Sequence, residues 1–251
     1  MALGPCVAAL LAAVYGLGAS PGADAHDISR HRAQDKPRTG VTEARIVIDE
    51  SDGTRFEAPR PGTYRLPVIK RGVDGDVLDT DGRRRRIFDV IGDRIALVSF
   101  IYTRCSDARG CPLAVTVFFE VVNMMAADPD LARNMRLLSL SFDPNHDTPS
   151  VMADYSGYLS RGEAGSARLW EFLTTASQEE LGPILDGYGQ YVVAERDDTD
   201  QPTGAFSHVL KVFLLDRARR VRNIYSTSFL YPQLIASDVK TLLLEEAGEE
   251  N

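Results

Sequence analysis

The chain has few residues of the kinds that build metal and redox centres, and it has no surplus of positive charge. Its 251 residues include three cysteines and four histidines, and the formal net charge is -8. A nucleic-acid-binding protein needs a basic face for the phosphate backbone, so no nucleic-acid partner is expected. The apolar content of 44% and the charged content of 25% argue against both wholesale disorder and a polytopic membrane protein.

Residues 1–25 have the composition of an export signal. An apolar run covers residues 7–17, shorter than the roughly 20 residues of a membrane span, and a small-x-small pattern typical of a cleavage site ends at Ala25. No basic residue precedes the run, so an uncleaved anchor that would hold the protein at a membrane is the alternative. Both interpretations predict an exported, periplasmic protein. Cys6 lies in this segment, which leaves two cysteines in the mature chain.

The rest of the chain divides into an arm and one folded domain. Residues 26–61 form the arm, which begins with a charged, proline-containing stretch that cannot bury a core and that carries His26 and His31. The β-like pieces ARIVI and TYRLPVI, separated by Asp-Gly and Pro-Gly turn dipeptides, predict an N-terminal β-hairpin extension. Residues 62–251 are predicted to form a single domain.

Strands and helices alternate within this domain. Residues 95–102 are a continuous apolar run of strand length and residues 136–142 are predicted to be a second buried strand; each is followed by a helix that begins near a proline. Residues 209–215 and 221–225 predict a hairpin, and residues 232–246 a final helix. This order predicts an α/β domain with a mixed central sheet flanked by helices, which is the thioredoxin-like arrangement.

Three segments lie between the helix after residues 136–142 and the hairpin at residues 209–225. Residues 169–174 are predicted to be extended, and residues 177–187 to form a helix with a serine cap. Residues 195–204 are acidic and rich in turn formers, so they are predicted to be a loop.

The stretch YTRCSDARGCP follows the first buried strand, at the sheet edge where function collects in α/β proteins. Five residues separate Cys105 from Cys111, so the loop must curl for the sulfurs to meet, and Asp107 and Gly110 favour such a curl. Cys111 precedes Pro112 and is predicted to cap the next helix, whose dipole would lower the thiol pKa. A redox couple, a pair of metal ligands and a structural disulfide that shapes a binding loop all stay open.

His208 is the third candidate, since it is predicted to lie immediately before a strand of the same sheet. Two thiolates and one imidazole suit copper and could also hold zinc, although zinc usually takes a fourth ligand that the sequence does not show. His146 is predicted to be a surface turn residue, and Asp143 and Asp147 to cap turns and the following helix. The basic run at residues 83–86 is interpreted as a solvated strand edge, with a docking surface for an acidic partner as the alternative.

Three motifs in this order resemble the Sco/SenC family: FIYTRC with CPL, then LSLSFDPNHDTP, then SHVLKVFLLD, within about residues 62–246. The family consists of thioredoxin-like copper proteins that are periplasmic or membrane-associated. The resemblance implies Cys105, Cys111 and His208 as ligands of Cu(I) or Cu(II). It also implies a metallochaperone or redox factor whose partner is a client metalloprotein, such as an oxidase subunit.

One feature departs from the family pattern, because the family usually has three residues between its cysteines and this chain has five. The alternative is therefore a periplasmic thiol-disulfide oxidoreductase, in which Cys105 and Cys111 are the catalytic pair and cycle without metal.

Overall fold

A computed structural model describes residues 45–49, 53–159 and 169–249. The predicted export segment, with Cys6, and the first part of the arm, with His26 and His31, lie outside the described residues. Within the described ranges, no helix combines the length and the apolar character that crossing a membrane requires.

The described chain contains short N-terminal strands followed by alternating strands and helices. The strands are β1 (Arg45–Asp49), β2 (Gly53–Glu57), β3 (Lys70–Arg71), β4 (Asp76–Leu78), β5 (Arg84–Arg86), β6 (Ile95–Ile101), β7 (Met135–Ser141), β8 (Trp170–Leu173), β9 (Val192–Arg196), β10 (Pro202–His208), β11 (Lys211–Leu215) and β12 (Arg220–Ser226). The helices are α1 (Ile87–Ile91), α2 (Cys111–Ala127), α3 (Pro129–Asn134), α4 (Pro149–Leu159), α5 (Gln178–Tyr188) and α6 (Pro232–Glu249).

A six-stranded mixed sheet forms the centre of the domain, in the order β3-β12-β11-β6-β7-β8. Strands β6, β7 and β8 are parallel, whereas β11 runs antiparallel to β6 and β12 antiparallel to β11. All seven residues of β6 are buried, as expected for a central strand covered on both faces. Helices α2, α4 and α5 follow the three parallel strands, so the predicted α/β, thioredoxin-like fold is confirmed.

Helix α5 begins at the serine cap that the sequence predicts. The side chain of Ser177 accepts a hydrogen bond from the backbone N–H of Glu180, which satisfies one of the free donors of the first turn. The helix ends at Gly189, whose left-handed φ of 65° suits glycine at this position. The predicted serine cap is therefore confirmed.

The prediction of a loop at residues 195–204 was wrong in part. Strands β9 and β10 form an antiparallel hairpin, and the acidic turn residues form only its tip. The side chains of β9 are mostly exposed, so the apolar alternation that identifies a strand is absent. As a result, His208 is the last residue of β10 instead of the residue before the next strand, which begins at Lys211.

The N-terminal extension is a hairpin, but only one of its two predicted strand pieces is a strand. β1, from the ARIVI piece, pairs antiparallel with β2, whereas residues 63–69 form no strand. The backbone N–H groups of Leu66 and Gly62 instead donate to Glu245 Oε1 and Thr241 Oγ1, both on α6. Side chains of a helix thus replace a strand ladder as partners of these two donors, whereas the N–H of Ile69 donates to the Val221 carbonyl oxygen of β12 at 2.8 Å.

The basic run forms β5, an exposed strand paired with β4. All three of its arginines form ion pairs with acidic residues of the same domain, among them Arg84 with Glu180 at 3.0 Å and Arg86 with Asp74 at 2.9 Å. These contacts agree with a solvated strand edge whose charge is balanced within the protein.

Candidate thiol and metal site

The loop between β6 and α2 curls through two backbone turns. The N–H of Cys105 donates to the carbonyl oxygen of Tyr102 at 3.2 Å, and the N–H of Gly110 to that of Asp107 at 2.9 Å. The Asp107 carboxylate also accepts from the N–H of Arg109 at 2.9 Å. The residues between the cysteines therefore fold back on themselves, as Asp107 and Gly110 predicted.

Gly110 lies close to the sulfur of Cys105. A Cβ atom at this position would lie 3.4 Å from Cys105 Sγ and 3.3 Å from the Asp107 carbonyl oxygen. Contacts this tight leave little room for a side chain, so glycine lets the loop close over Cys105.

Cys111 is the first residue of α2, and Gly110 holds the cap position predicted for it. The side chain of Cys111 is almost fully buried, with 1% of its surface exposed. Burial raises the pKa of the Cys111 thiol, and the nearby Cys105 acts in the same direction. The predicted lowering of this pKa was therefore wrong: desolvation outweighs the helix dipole because the sulfur lies in the core.

His208 extends from the end of β10 toward the cysteines. Its Nε2 atom lies 3.6 Å from Cys111 Sγ, and its ring packs against Phe142 with the ring centroids 4.9 Å apart. Burial lowers the pKa of His208, which favours the neutral imidazole that binds metals. The hairpin thus delivers the third predicted residue to the cysteine loop.

The structure brings the three predicted site residues together. The ligand atoms of Cys105, Cys111 and His208 all lie within 4.8 Å of one another, and the two cysteines are free thiols. Metal–ligand bonds of about 2.0 to 2.3 Å place the ligand atoms of a three-coordinate metal roughly 3.5 to 4 Å apart, so small side-chain rotations would close the set. No fourth histidine, cysteine or acidic group joins this cluster in the described part of the chain. The donor set therefore fits a soft metal such as copper better than a four-coordinate zinc.

Three aromatic rings cluster beside His208, and sequence reasoning did not identify them as part of the site. Phe142 and Tyr102 pack against its ring, and Phe206 packs against both of them. The ring centroids of Tyr102 and Phe206 are 5.2 Å apart, and those of Phe142 and Phe206 are 5.6 Å apart. Tyr155 of α4 also lies near the thiols: burial raises its pKa to about 12, and Cys111 and Cys105 contribute to the rise. The rings shield part of the His208 imidazole from solvent, which strengthens electrostatic interactions there.

Asp147 ties the cysteine loop to the neighbouring strand, a role that the sequence analysis missed. Its carboxylate is fully buried and accepts hydrogen bonds from the backbone N–H of Thr103 at 3.0 Å and from the Thr103 hydroxyl at 2.5 Å. Ser141, at the end of β7, donates to the same carboxylate at 2.5 Å. Thr148 instead supplies the first-turn acceptor of α4, for the N–H of Val151.

Asp143 fixes the next residue of the loop. Its carboxylate accepts from Arg104 Nη2 at 2.8 Å, and its own N–H donates to Ser141 Oγ at 3.0 Å. Two consecutive residues before Cys105 are thus anchored to the loop after β7. The sequence signal for this arrangement was the pair of acidic residues in DPNHDTP, directly after the parallel strand beside β6.

These features define a thioredoxin-like domain with two thiols and one imidazole gathered at the carboxyl edge of its parallel strands. The SCO1/SenC family matches residues 73–244, well over half of the chain. The chain belongs to this family, so the resemblance seen in the sequence is confirmed.

Solved structures with the same fold include two copper-bound proteins. ScoI of Bradyrhizobium japonicum is 22% identical over 68% of this chain and 98% of its own, with a TM-score of 0.55. ScoI of Arabidopsis thaliana is 17% identical over 69% and 98%, with a TM-score of 0.56. A third, BsSco, is described as having a disulfide switch and as a member of a family of cytochrome c oxidase assembly proteins; it is 22% identical over 71% and 96%, with a TM-score of 0.53. The comparison with curated protein sequences finds no match for this chain.

Proposed function

We propose that the protein is an exported copper-binding protein that acts as a metallochaperone or redox factor, with Cys105, Cys111 and His208 as the copper ligands. The observation that carries this proposal is that their ligand atoms lie within 4.8 Å of one another at the carboxyl edge of the sheet. Two sulfurs and one imidazole suit copper in either of its common oxidation states. Membership of the SCO1/SenC family and the copper bound in related structures support the same conclusion.

The three ligands differ in how firmly they are held. Cys111 is buried in the first turn of α2, whereas Cys105 is partly exposed on the loop before it. His208 lies on a hairpin outside the central sheet. Copper would therefore pass to a partner through Cys105, while Cys111 keeps its position. Because burial raises the pKa of Cys111, copper binding must displace the thiol proton.

The partner that fits this chemistry is a client metalloprotein such as an oxidase subunit. The related BsSco is described as belonging to a family of cytochrome c oxidase assembly proteins, which supports this choice. In the same proposal residues 62–251 are the functional domain, and residues 1–25 direct export or anchor the protein to the membrane.

Copper binding by single variants tests the ligand set. Copper-loaded wild type should retain roughly one copper per chain, whereas Cys111→Ser and His208→Ala should lose affinity by more than about 100-fold, because each loses a metal ligand. His146→Ala is the matched control, since His146 is exposed on a turn and should bind copper as wild type does. Equal copper retention by wild type and His208→Ala would remove His208 from the site.

A thiol-disulfide oxidoreductase is the second candidate function. The two sulfurs are close enough that a small closure of the loop would join them. A redox titration of copper-free protein distinguishes the outcomes. A reversible couple above about -300 mV, with exchange activity lost in Cys105→Ser, would support the oxidoreductase, whereas a more stable disulfide would indicate a structural bond.

A further inference from the structure

Arg104 precedes Cys105 in the chain and lies against the hairpin that carries His208. We propose that it is a positioning residue that sets how closely His208 approaches the cysteine loop. The inference rests on the proposed copper function for its importance. Its physical basis is independent of copper, because it concerns the position of one hairpin relative to one loop.

The first contact fixes the guanidinium group. Arg104 immediately precedes Cys105 in the chain, and its Nη2 donates to Asp143 at 2.8 Å. The Asp143 side chain is only 5% exposed, and the hydrogen bond from its N–H to Ser141 holds the backbone of this residue in place. An ion pair with a buried, anchored carboxylate holds the arginine in one orientation.

The second contact is with the hairpin that carries His208. A Cβ atom at Gly204 would lie 2.9 Å from Arg104 Nη1 and 3.4 Å from its Cζ and Nη2. The guanidinium therefore lies directly against the backbone of β10, four residues before His208. Glycine is needed there for two reasons: a side chain would displace the arginine, and the φ of Gly204 is +80°.

The rest of the hairpin packs loosely on the side that faces α5. A cavity of about 450 Å³ lies between it and α5, with Val192, Ala194 and Phe206 of the hairpin facing Leu185 of the helix. Arg104 forms part of the cavity wall. The hairpin is therefore held at a few points, and Arg104 is the point closest in sequence to a site cysteine.

Other contacts of the hairpin lie near its base. Gln190 Nε2 donates to the carbonyl oxygen of Val209 at 2.9 Å, and Phe206 packs against Tyr102 and Phe142. These contacts retain the hairpin when Arg104 is replaced. The expected effect is therefore a displacement of His208 and not unfolding of the hairpin.

A double-mutant cycle on copper affinity tests whether Arg104 acts through His208. Arg104→Met should weaken copper binding about 10-fold, the low end of what is lost when a group that holds a metal ligand is removed. In the His208→Ala background the same substitution should change nothing further. Arg109→Met is the control, because it removes an exposed arginine from the same loop without a contact to Gly204. An equal loss in both backgrounds would overturn the positioning role.

Arg104→Lys distinguishes a loss of positioning from a folding defect. Lysine keeps a positive charge for Asp143 but lacks the planar group that covers Gly204. It should preserve the thermal midpoint of wild type and still weaken copper binding. Full wild-type affinity in this variant would show that charge alone, not the contact with the hairpin, matters.

A copper-free measurement separates this inference from the proposed function. In reduced apoprotein, the nuclear Overhauser effect between the His208 ring and the Cys111 β-protons should weaken in Arg104→Met and Arg104→Lys but not in Arg109→Met. If wild type binds no copper, the proposed function fails while this signal still decides the positioning role. An unchanged signal in Arg104→Met refutes that role.

Discussion

Replacing Asp147 should remove the hydrogen bonds that join the cysteine loop to the end of β7, and it should destabilise the whole domain. The fully buried carboxylate accepts three hydrogen bonds, two from Thr103 and one from Ser141. Alanine leaves three donors without this acceptor, two on the partly buried Thr103 and one on the buried Ser141. Each donor left unsatisfied costs about 1 to 3 kcal/mol, so we expect a loss of about 4 kcal/mol. Asparagine keeps the shape and one acceptor oxygen but turns an N–H₂ group toward a donor, so we expect about 2 kcal/mol.

Urea unfolding of reduced, copper-free protein measures these losses in the free energy of unfolding. A loss of 4 kcal/mol corresponds to a fall in the thermal midpoint of about 8 to 16 °C for a domain of this size. His146→Ala changes the preceding, exposed residue and should stay within about 0.5 kcal/mol of wild type. The reasoning is refuted if Asp147→Ala also stays within that margin. Thr103→Val combined with Asp147→Ala should cost less than the sum of the two single changes, because both remove the same contact.

Other predictions address the core, the tryptophan environment and the pH dependence. Gly187→Ala should lower the free energy of unfolding by about 1 to 3 kcal/mol, because its Cβ would lie 2.3 Å from a Val73 methyl. Gly157→Ala should raise the free energy of unfolding by about 0.5 to 1 kcal/mol, because Gly157 is an exposed helical residue with open space around it. Thermal unfolding measures both changes. Trp170, the single tryptophan, is 7% exposed, so its fluorescence should be blue-shifted and resist acrylamide quenching, and exposed-type emission from folded protein would contradict its placement. Burial raises the pKa of Asp238 above its unfolded value of about 3.9. Wild type should therefore lose stability relative to Asp238→Asn as the pH rises above about 4. A constant difference in urea midpoint between the two proteins from pH 3.5 to 7 would contradict this prediction.

The parts of the fold that the sequence predicted are those whose burial leaves a local signal. Residues 95–102 and 136–142 are mostly apolar because β6 and β7 are covered on both faces. β9 was missed because nearly all its side chains are exposed. The apolar residues of the TYRLPVI piece predict a strand, whereas the backbone N–H of its Leu66 donates to the Glu245 side chain on α6.

The candidate site could be predicted to the level of its three chemical groups. Cys105, Cys111 and His208 carried the signal of residue type, position and family resemblance, and the structure places them together. The hydrogen bonds from Thr103 to Asp147 join residues that are far apart in the chain, and no local spacing encodes them. The pKa of Cys111 likewise depends on how deeply the start of α2 is buried, which the position of Pro112 alone does not determine.

The five residues SDARG distinguish this loop from the family pattern. The turn that they form explains how the two sulfurs stay close despite the extra length. Asp107 and Gly110 close a backbone turn at 2.9 Å, so most of the added chain doubles back instead of extending the path between the cysteines. Gly110 then returns the chain so close to Cys105 that a Cβ atom at this position would lie 3.4 Å from its Sγ. The spacing of the sulfurs is consequently set by the turn and by the anchors at Thr103 and Arg104, and only weakly by the number of intervening residues.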